Sequence, residues 1–515
     1  MSTFGLERVF SPRTVAVVGG SSRPSSLGLA VLMNLKASGF AGRIAVVNPN
    51  YAVVDGAETV PNLKSLPFVP DLVVITAPAV AIPGIIADAA AVGVAGAVIL
   101  SAGLGHGAGS LAETAARTAR MHGIRLIGPN CIGVMIPRAN LNASFAAHRP
   151  SDGRVALISQ SGAIAAAMIE WAAERRLGFS GIVSVGDQLD VDVADLLDYF
   201  AQDDHTNAIL LYIESVTDAR KFMSAARAAA RLKPVIVVKS GRMAVGAKAA
   251  ATHTGALAGS DAVYDAAFRR AGMLRVYDLR QLFDCAELLG RGFVPRGNRL
   301  ALLTNGGGIG VLAIDRLAEL GGAAANLSAD TVASLDKVLP PNWSHGNPVD
   351  ISGDADAARY ISALDALLED ANSDAVLVMN VETAVAPAEG IAEAVARRVG
   401  DFRAKRSVVA PLVLAAWAGT DERTSATFEA AGIPHFPTED DAVRASIAAK
   451  PIIVPESITV DRGKVFVGST FLNACERLQI SVTKAAPRTP TDKPHIERMF
   501  AAINSGFTQY LAGYV

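Results

Sequence analysis

The sequence predicts an α/β chain of three doubly wound units, and three observations predict it. Short β-branched runs recur between alanine-rich helical stretches without polar alternation, the pattern of parallel strands covered on both faces. The first run of each unit ends in small residues: Gly19-Gly20-Ser21-Ser22, Ser159-Gln160-Ser161-Gly162-Ala163 and Thr304-Asn305-Gly306-Gly307-Gly308. With 515 residues, of which 51% are hydrophobic and 19% charged, there is core enough for three or four domains, at about 150 residues each.

The first unit, residues 1–140, opens with the strand Thr14–Val18. A helix follows around Leu29–Ser38, then strands at Ile44–Val47, Leu72–Ile75, Ala97–Leu100 and Arg125–Ile127. That alternation reads as a Rossmann-like domain. The second unit, residues 148–293, takes strands at Arg154–Ile158, Gly181–Val185, Ala208–Ile213 and Val235–Val238, with a helix over Ile164–Ala173 after the first. Its spacing suits a flavodoxin-like sheet, and Pro295-Arg296-Gly297-Asn298 reads as a linker. The third unit, residues 297–447, has strands at Leu300–Thr304, Ala375–Met379 and Leu412–Ala415 and reads as a second flavodoxin-like domain. Units two and three share a strand-then-small-loop opening, a repeat at the level of architecture. Residues 448–515 carry scattered prolines, lysines and arginines with poor periodicity and read as an irregular extension.

Composition excludes several function classes. A net charge of −2 gives no electrostatic footprint for nucleic acid or an anionic membrane. The three cysteines, Cys131, Cys285 and Cys475, are far apart, so neither a disulfide framework nor a zinc spacing exists. That usage fits a reducing cytoplasm. Neither a secretory leader nor an eighteen-residue apolar span is legible. No metal ligand set is expected.

The chemistry is expected in loops at strand ends, because ligands of open parallel sheets bind outside the carboxyl ends of the strands. Gly19 to Gly28 lacks the Gly-x-Gly-x-x-Gly pattern. Its backbone N–H groups and the helix behind could still cradle phosphate, with Arg23 adding charge. An ordinary βα turn is the plain alternative. Asn48-Pro49 ends the second strand where an NAD enzyme needs an acidic residue for the ribose. Ser159-Gln160-Ser161-Gly162-Ala163 offers two hydroxyls and free helix N–H groups, a phosphate or oxyanion site unless it is only a serine cap. Glu214 ends a buried strand, where a carboxylate can hold a histidine Nδ1–H; a solvated glutamate is the alternative. His253, one of eight histidines, sits among small residues in Thr252-His253-Thr254-Gly255-Ala256-Leu257-Ala258-Gly259-Ser260-Asp261. Ser260-Asp261 reads as an N-cap opening an apolar-periodic helix through Val263, Ala267 and Phe268. Such a histidine can act as base, nucleophile or metal ligand, or do no chemistry.

The order of these elements resembles the nucleoside-diphosphate-forming (ADP-forming) acyl-CoA synthetases and the α-subunit of succinyl-CoA synthetase. The resemblance runs over about residues 5–445. It is carried by Val17–Ser21, Val47-Asn48-Pro49, Gly128-Pro129-Asn130-Cys131-Ile132-Gly133, Ser159–Ala163, Ser184-Val185-Gly186-Asp187, Tyr212-Ile213-Glu214 and His253–Asp261. Asn305–Gly308 and Asn347-Pro348-Val349-Asp350 carry it in the third unit. It implies that the first unit binds coenzyme A, with Gly19, Gly20, Ser21, Ser22, Arg23, Asn48 and Pro49 around the phosphates and nucleotide. Asn130 and Cys131 would lie near the thiol end, with Cys131 a packing residue rather than a nucleophile. His253 is similar to the family's phosphorylated histidine. In that chemistry phosphate converts the thioester to an acyl phosphate, and the imidazole takes the phosphoryl group and passes it to ADP. Ser159, Gln160, Ser161, Gly162 and Ala163 would hold the phosphoryl oxygens and Glu214 would orient His253.

One departure stands out. The family's ATP-grasp domain, which binds ATP/ADP with Mg2+, has no counterpart in any Walker-type loop here or in the length after residue 445. An ATP-grasp partner of the β-type is therefore expected, and with it an oligomer. Two other classes stay open at this point: a non-catalytic CoA- or acyl-CoA-binding regulatory module, and a dinucleotide-dependent oxidoreductase, which Asn48-Pro49 argues against.

Overall fold

The apolar runs become the centres of three sheets in the computed structural model. It describes residues 3–175, 177–243, 260–290, 297–405, 411–418 and 422–448, with 457–460 and 481–484. The first sheet holds β1 (Thr14–Val18), β2 (Arg43–Val47), β3 (Val53–Val54), β4 (Ala57–Val60), β5 (Leu72–Ile75), β6 (Gly96–Ile99) and β7 (Arg125–Ile127). Its order is β3-β4-β2-β1-β5-β6-β7, all parallel except the β3–β4 pair. Val15, Ala16 and Val17 of β1 are buried, as are all four residues of β5 and of β6. Burial on both faces is why these runs show no alternation.

The second sheet holds β8 (Gly133–Ile136), β9 (Leu141–Ser144), β10 (Ser151–Ser159), β11 (Gly178–Ser184), β12 (Ala208–Ile213), β13 (Val235–Lys239) and β14 (Leu274–Val276), in the order β14-β13-β12-β10-β11-β8-β9. The third holds β15 (Arg299–Thr304), β16 (Ala323–Ala324), β17 (Val349–Asp350), β18 (Ala375–Val381), β19 (Leu412–Ala418) and β20 (His435–Phe436), in the order β16-β15-β18-β19-β20 with β17 also on β15. In 448–515 the described residues form one parallel pair, β21 (Ser457–Val460) with β22 (Ser481–Lys484). In every large sheet the first long strand lies inside the order, with later strands on both sides of it. The loops after β1, β10 and β15 therefore open at the switch points of their sheets, where crevices form.

One element departs from the expected division. Residues 133–140, read with the first unit, pair with the second sheet: β8 lies antiparallel on β11, and β9 on β8. Polar anchors hold this strap. Asn34 Nδ2, from the first unit's Leu27–Ala37 helix, donates to Ser144 O and Ala146 O, both at 2.9 Å. Val98, Ile127, Val134, Ile136, Val183 and Val185 join one core across both units. Beside them the nearly buried Arg125 pairs with Asp190 at 2.9 Å and Asp195 at 3.3 Å.

The second and third units share a core as well, through Leu282 and Cys285 of the Leu279–Gly290 helix and Ala442 and Val443 of the Glu439–Ala448 helix. Arg280 reaches the fully buried Asp441 at 2.5 Å. Burial first, and Asp441 second, push the neighbouring Asp284 carboxyl up to about 7. The folded chain thus holds this proton more tightly than the unfolded chain. Stability should fall as pH rises from about 4 through about 7, and then level off. Asp284→Asn removes the charge, so urea unfolding should show little gain at pH 4 and a gain on the order of 1–2 kcal/mol at pH 8. Equal midpoints for the two proteins at pH 8 would contradict this.

Candidate functional site

The loop after β1 is built for close backbone approach. A Cβ at Gly20 would stand 2.5 Å from Val46 Cγ1, and one at Gly28 would stand 2.7 Å from Gly19 O and 2.8 Å from Gly20 Cα. Ser26 caps the Leu27–Ala37 helix, accepting from Leu29 N at 3.3 Å, and its hydroxyl donates to Ser21 O. Asn48 Nδ2 donates to Gly20 O at 2.6 Å, while its Oδ1 accepts from Asn50 N at 2.9 Å. Asn48 thus braces the loop from the end of the second strand. Ser21 is buried and accepts from Arg23 N and Nε at 3.1 and 3.4 Å; Ser22, Arg23 and Pro49 are exposed at the rim. A small-residue turn, a helix N-terminus and a rim arginine suit a ligand with phosphates.

The first unit reaches the second through residues 128–132. Asn130, in the left-handed region at φ 59°, donates from Nδ2 to Asp187 Oδ1 at 3.3 Å and from its backbone to Ser101 O at 3.1 Å. Gly186, at φ 49°, packs so tightly that a Cβ there would lie 2.0 Å from Pro129 O. Cys131 is buried with its Sγ 3.4 Å from Ile99 O, and burial pushes its thiol up to about 12. It supports the loop from beneath and presents no thiolate. Ile132 N donates to Ser184 Oγ at 3.3 Å, and a Cβ on Gly162 would meet Ile132 at 3.4 Å. The strand-end loop of unit one thus lies directly against the loop after β10.

In that second loop each polar group has a task. Ser159 Oγ donates to Ser161 O at 2.7 Å and accepts from Ser161 N at 3.1 Å, fixing the turn. Ser161 caps the Gly162–Glu174 helix, accepting from Ile164 N at 3.4 Å. Gln160 clamps the end of the next strand: Oε1 accepts from Glu214 N at 2.5 Å and Ser215 N at 2.9 Å, and Nε2 donates to Ser215 O at 2.7 Å. Ser159 and Glu214 are therefore brought to one sheet end, while Gly162 and Ala163 open the helix N-terminus beside them. The loop after β15 repeats the design. Thr304 Oγ1 bridges Gly306 O and N at 3.1 and 2.9 Å, and Asn305 exchanges bonds with Val381 at 2.8 and 2.9 Å. Beside it the Asp350 carboxylate lies where a Gly307 Cβ would be, 2.8 Å from Oδ2.

His253 lies outside the described residues. The chain is described again from Ser260, at the N-cap of the Asp261–Ala271 helix, but Ser260 makes no side-chain cap bond. The expected apolar face is also shifted: Phe268 is buried, whereas Val263 is 68% exposed. The Asp261 carboxylate is turned to Arg275, with Arg242 at 3.8 Å. Sequence reasoning missed the residues that close this sheet end. Lys239 ends β13 fully covered, its Nζ 4.7 Å from the Tyr264 ring centroid and donating to Ser240 O. Tyr264 OH accepts from Val216 N at 3.2 Å, two residues past Glu214. The available signal was a lysine ending the apolar run Val235–Val238, with a tyrosine in the first helical turn after Ser260. Among the described residues no cluster of three metal-ligating side chains is present, and no helix is long and apolar enough to cross a membrane.

Comparison with known proteins follows the three sheets. Residues 13–137 match a CoA binding domain, 152–289 a succinyl-CoA ligase like flavodoxin domain, 300–453 a ligase-CoA domain and 449–513 a TnsB C-terminal domain. Over 453 residues the chain is 38% identical to the alpha subunit of ADP-forming acetate–CoA ligase I of Pyrococcus furiosus, covering 85% of this chain and 96% of that subunit. It is also 38% identical over 445 residues to ADP-forming acetate–CoA ligase I of Archaeoglobus fulgidus, covering 85% of this chain but spanning only 62% of that longer protein. Among solved structures, an acetyl-coenzyme A synthetase of Korarchaeum cryptofilum in complex with phosphate and ADP superposes with a TM-score of 0.78 at 35% identity, covering 86% of this chain and 96% of that one. With a CoA-binding sheet followed by two flavodoxin-like sheets in the same order, the chain belongs to the NDP-forming (ADP-forming) acyl-CoA synthetases, in their α-subunit-like part.

Proposed function

We propose that this chain is the acyl- and phosphoryl-handling subunit of an ADP-forming acid–CoA ligase. It interconverts acyl-CoA, ADP and phosphate with a carboxylic acid, ATP and CoA through phosphorylated His253. The observation that carries this reading is the single sheet end at which Gln160 clamps Glu214 beside the Ser159–Ala163 helix N-terminus, with the Asn130 loop of the CoA-binding unit packed against it. The crowded glycines of the first loop fit a substrate held by its phosphates at short range, so Gly19 to Arg23 with Asn48 and Pro49 receive CoA and the Asn130 loop faces its thiol end. The module reading, CoA binding without catalysis, does not account for a strand end clamped so that it carries Glu214 beside the second loop. The alpha-subunit relative supports a partner subunit; on this reading that partner is an ATP-grasp chain holding ATP and Mg2+, the two assemble, and the setting is cytoplasmic.

The chemistry balances with these groups. A phosphate oxygen attacks the thioester carbonyl, the C–S bond breaks, and CoA leaves as the thiol after taking a proton. The helix N-terminus and the Ser159–Ala163 loop neutralise the phosphate charge. The imidazole lone pair of His253 then attacks phosphorus; the P–O bond breaks and its electron pair leaves on the carboxylate. The other ring nitrogen donates its proton in a hydrogen bond to Glu214, which stabilises the developing imidazolium.

The test uses the full chain by itself with 32P-labelled acetyl phosphate. Acid-labile, base-stable label is expected on the wild type and absent from His253→Ala. An unlabelled wild-type chain, or label surviving in the variant, overturns the reading. The same preparation should bind CoA by calorimetry yet form no ADP from ATP, CoA and acetate until the partner is supplied. ADP formation by this chain alone would remove the partner from the proposal.

A further inference from the structure

Three consecutive backbone N–H groups follow the last paired residue of β12, and side chains receive all three. Strand pairing ends at Ile213: on one side the β10 ladder stops at Ser159 opposite Tyr212, and on the other β13 stops at Lys239 opposite Ile213. Gln160 N still donates to Tyr212 O at 3.1 Å, after which the chain turns into the Gly162–Glu174 helix. Glu214 and Ser215 are thus left without a backbone neighbour on the β10 side, where unmet N–H and C=O groups are costly. The Gln160 side chain, 8% exposed, fills that place. Its Oε1 accepts from Glu214 N at 2.5 Å and from Ser215 N at 2.9 Å, and its Nε2 donates to Ser215 O at 2.7 Å. Both lone pairs of Oε1 are taken, so the amide is turned to the strand end and away from any phosphate. The next N–H, of Val216, donates to Tyr264 OH at 3.2 Å. Tyr264 stands in the first turn of the Asp261–Ala271 helix, the helix that follows the His253 segment in sequence. The Glu214 turn is therefore gripped from two directions, by the loop after β10 and by this helix.

We propose, resting on the functional reading above, that Gln160 and Tyr264 are positioning residues for phosphoryl transfer. Together they fix the Glu214–Val216 backbone, so that the Glu214 side chain starts from one place relative to the Ser159–Ala163 loop. Neither side chain touches substrate, and Gln160 acts through Glu214 rather than by holding phosphoryl oxygens. The two grips are unequal. Gln160 makes three bonds, two of them on the Glu214–Ser215 pair of N–H groups, while Tyr264 makes one at the outer end of the turn. The larger effect therefore belongs to Gln160.

The experiment follows single-turnover uptake of acid-labile label from 32P-labelled acetyl phosphate by the full chain, over a range of acetyl phosphate concentrations. Gln160→Met keeps the length of the side chain and removes all three bonds. It is expected to lower the maximal rate about tenfold, since a misplacement of about 1 Å costs up to about a hundredfold. Tyr264→Phe, which removes one hydroxyl and keeps the ring, is expected to lower it about threefold. In both variants the half-saturating concentration should stay within about twofold of wild type, because the contacts to phosphate are untouched. In a Glu214→Gln background each change should slow uptake less than about twofold further, because the residue it serves is already gone. Should Gln160→Met lose its thermal transition, Tyr264→Phe carries the test alone. A wild-type maximal rate in folded Gln160→Met or in Tyr264→Phe overturns the proposal, as does the full loss recurring in the Glu214→Gln background. A raised half-saturating concentration at an unchanged maximal rate overturns it as well, and makes Gln160 a phosphate ligand. A wild-type chain that takes no label overturns the functional reading instead, and this inference falls with it.

Discussion

Glu214→Gln should slow the uptake of acid-labile phosphate by about a hundredfold or more while leaving the fold intact. The size follows from the charge that develops during the step. On the proposed mechanism His253 becomes cationic as it takes the phosphoryl group, and a carboxylate accepting the second ring proton would stabilise that cation where an amide would not. Positioned groups of this kind contribute about 10²–10⁴ in rate. Stability should change by less than about 1 kcal/mol, because the backbone N–H of Glu214, not its carboxylate, is what Gln160 clamps. Single-turnover labelling beside a urea titration separates the two quantities. Loss of labelling in step with loss of stability would reduce Glu214 to a structural residue.

Gly186→Ala should be the most destabilising single change proposed for this chain. Its backbone is at φ 49° and an added Cβ would meet Pro129 O at 2.0 Å and Asn130 O at 2.4 Å. Neither atom is the tip of a flexible side chain, so the loop itself must move. Loss of left-handed freedom costs about 1 kcal/mol, and relieving the overlap costs about 1–3 kcal/mol more. The same movement withdraws Asn130 from Asp187, so CoA affinity should fall together with the urea midpoint. A variant with wild-type midpoint and CoA affinity would mean that the two units are not seated as described.

Much of the fold was legible because its strands are buried on both faces and read as unbroken apolar runs. Thr14–Val18, Leu72–Ile75 and Ala208–Ile213 stand where the sequence places them. What escaped notice is nonlocal or polar. Ala57–Val60 is a short strand containing Glu58 and Thr59, and Leu141–Ser144 contains Asn142 and Ser144, whose hydroxyl donates to the Asn142 side chain at 2.6 Å. No periodicity announces that Gly133–Ile136 will leave its own unit to pair with β11, since the partner lies about fifty residues later. The candidate site was legible in its loops but not in its support. Gln160 reads with the phosphate-holding loop, yet its side chain forms three bonds that position the Glu214 strand end. Lys239 follows the apolar run Val235–Val238 without drawing notice, and Tyr264, twenty-five residues on, lies with its ring 4.7 Å from its ammonium. Val263 fits an apolar helical face by spacing but is exposed, because Phe268 and Ala271 form the buried side of that helix.

The strap at 133–144 also has a mechanical meaning. A hinge needs a connection that can bend without breaking buried contacts, and this connection is stitched at both ends. It lies in the second sheet by strand pairing, takes two bonds from Asn34, and runs beside the Arg125 ion pairs. Opening the angle between the CoA-binding unit and its neighbour would break the Asn34 bonds and the Arg125 ion pairs together. The span from the loop after β1 to the Ser159–Ala163 loop is therefore a fixed length, closer to a jig than to a jaw. If the proposed partner holds the nucleotide, whatever distance separates it from that loop must be covered by motion outside this joint.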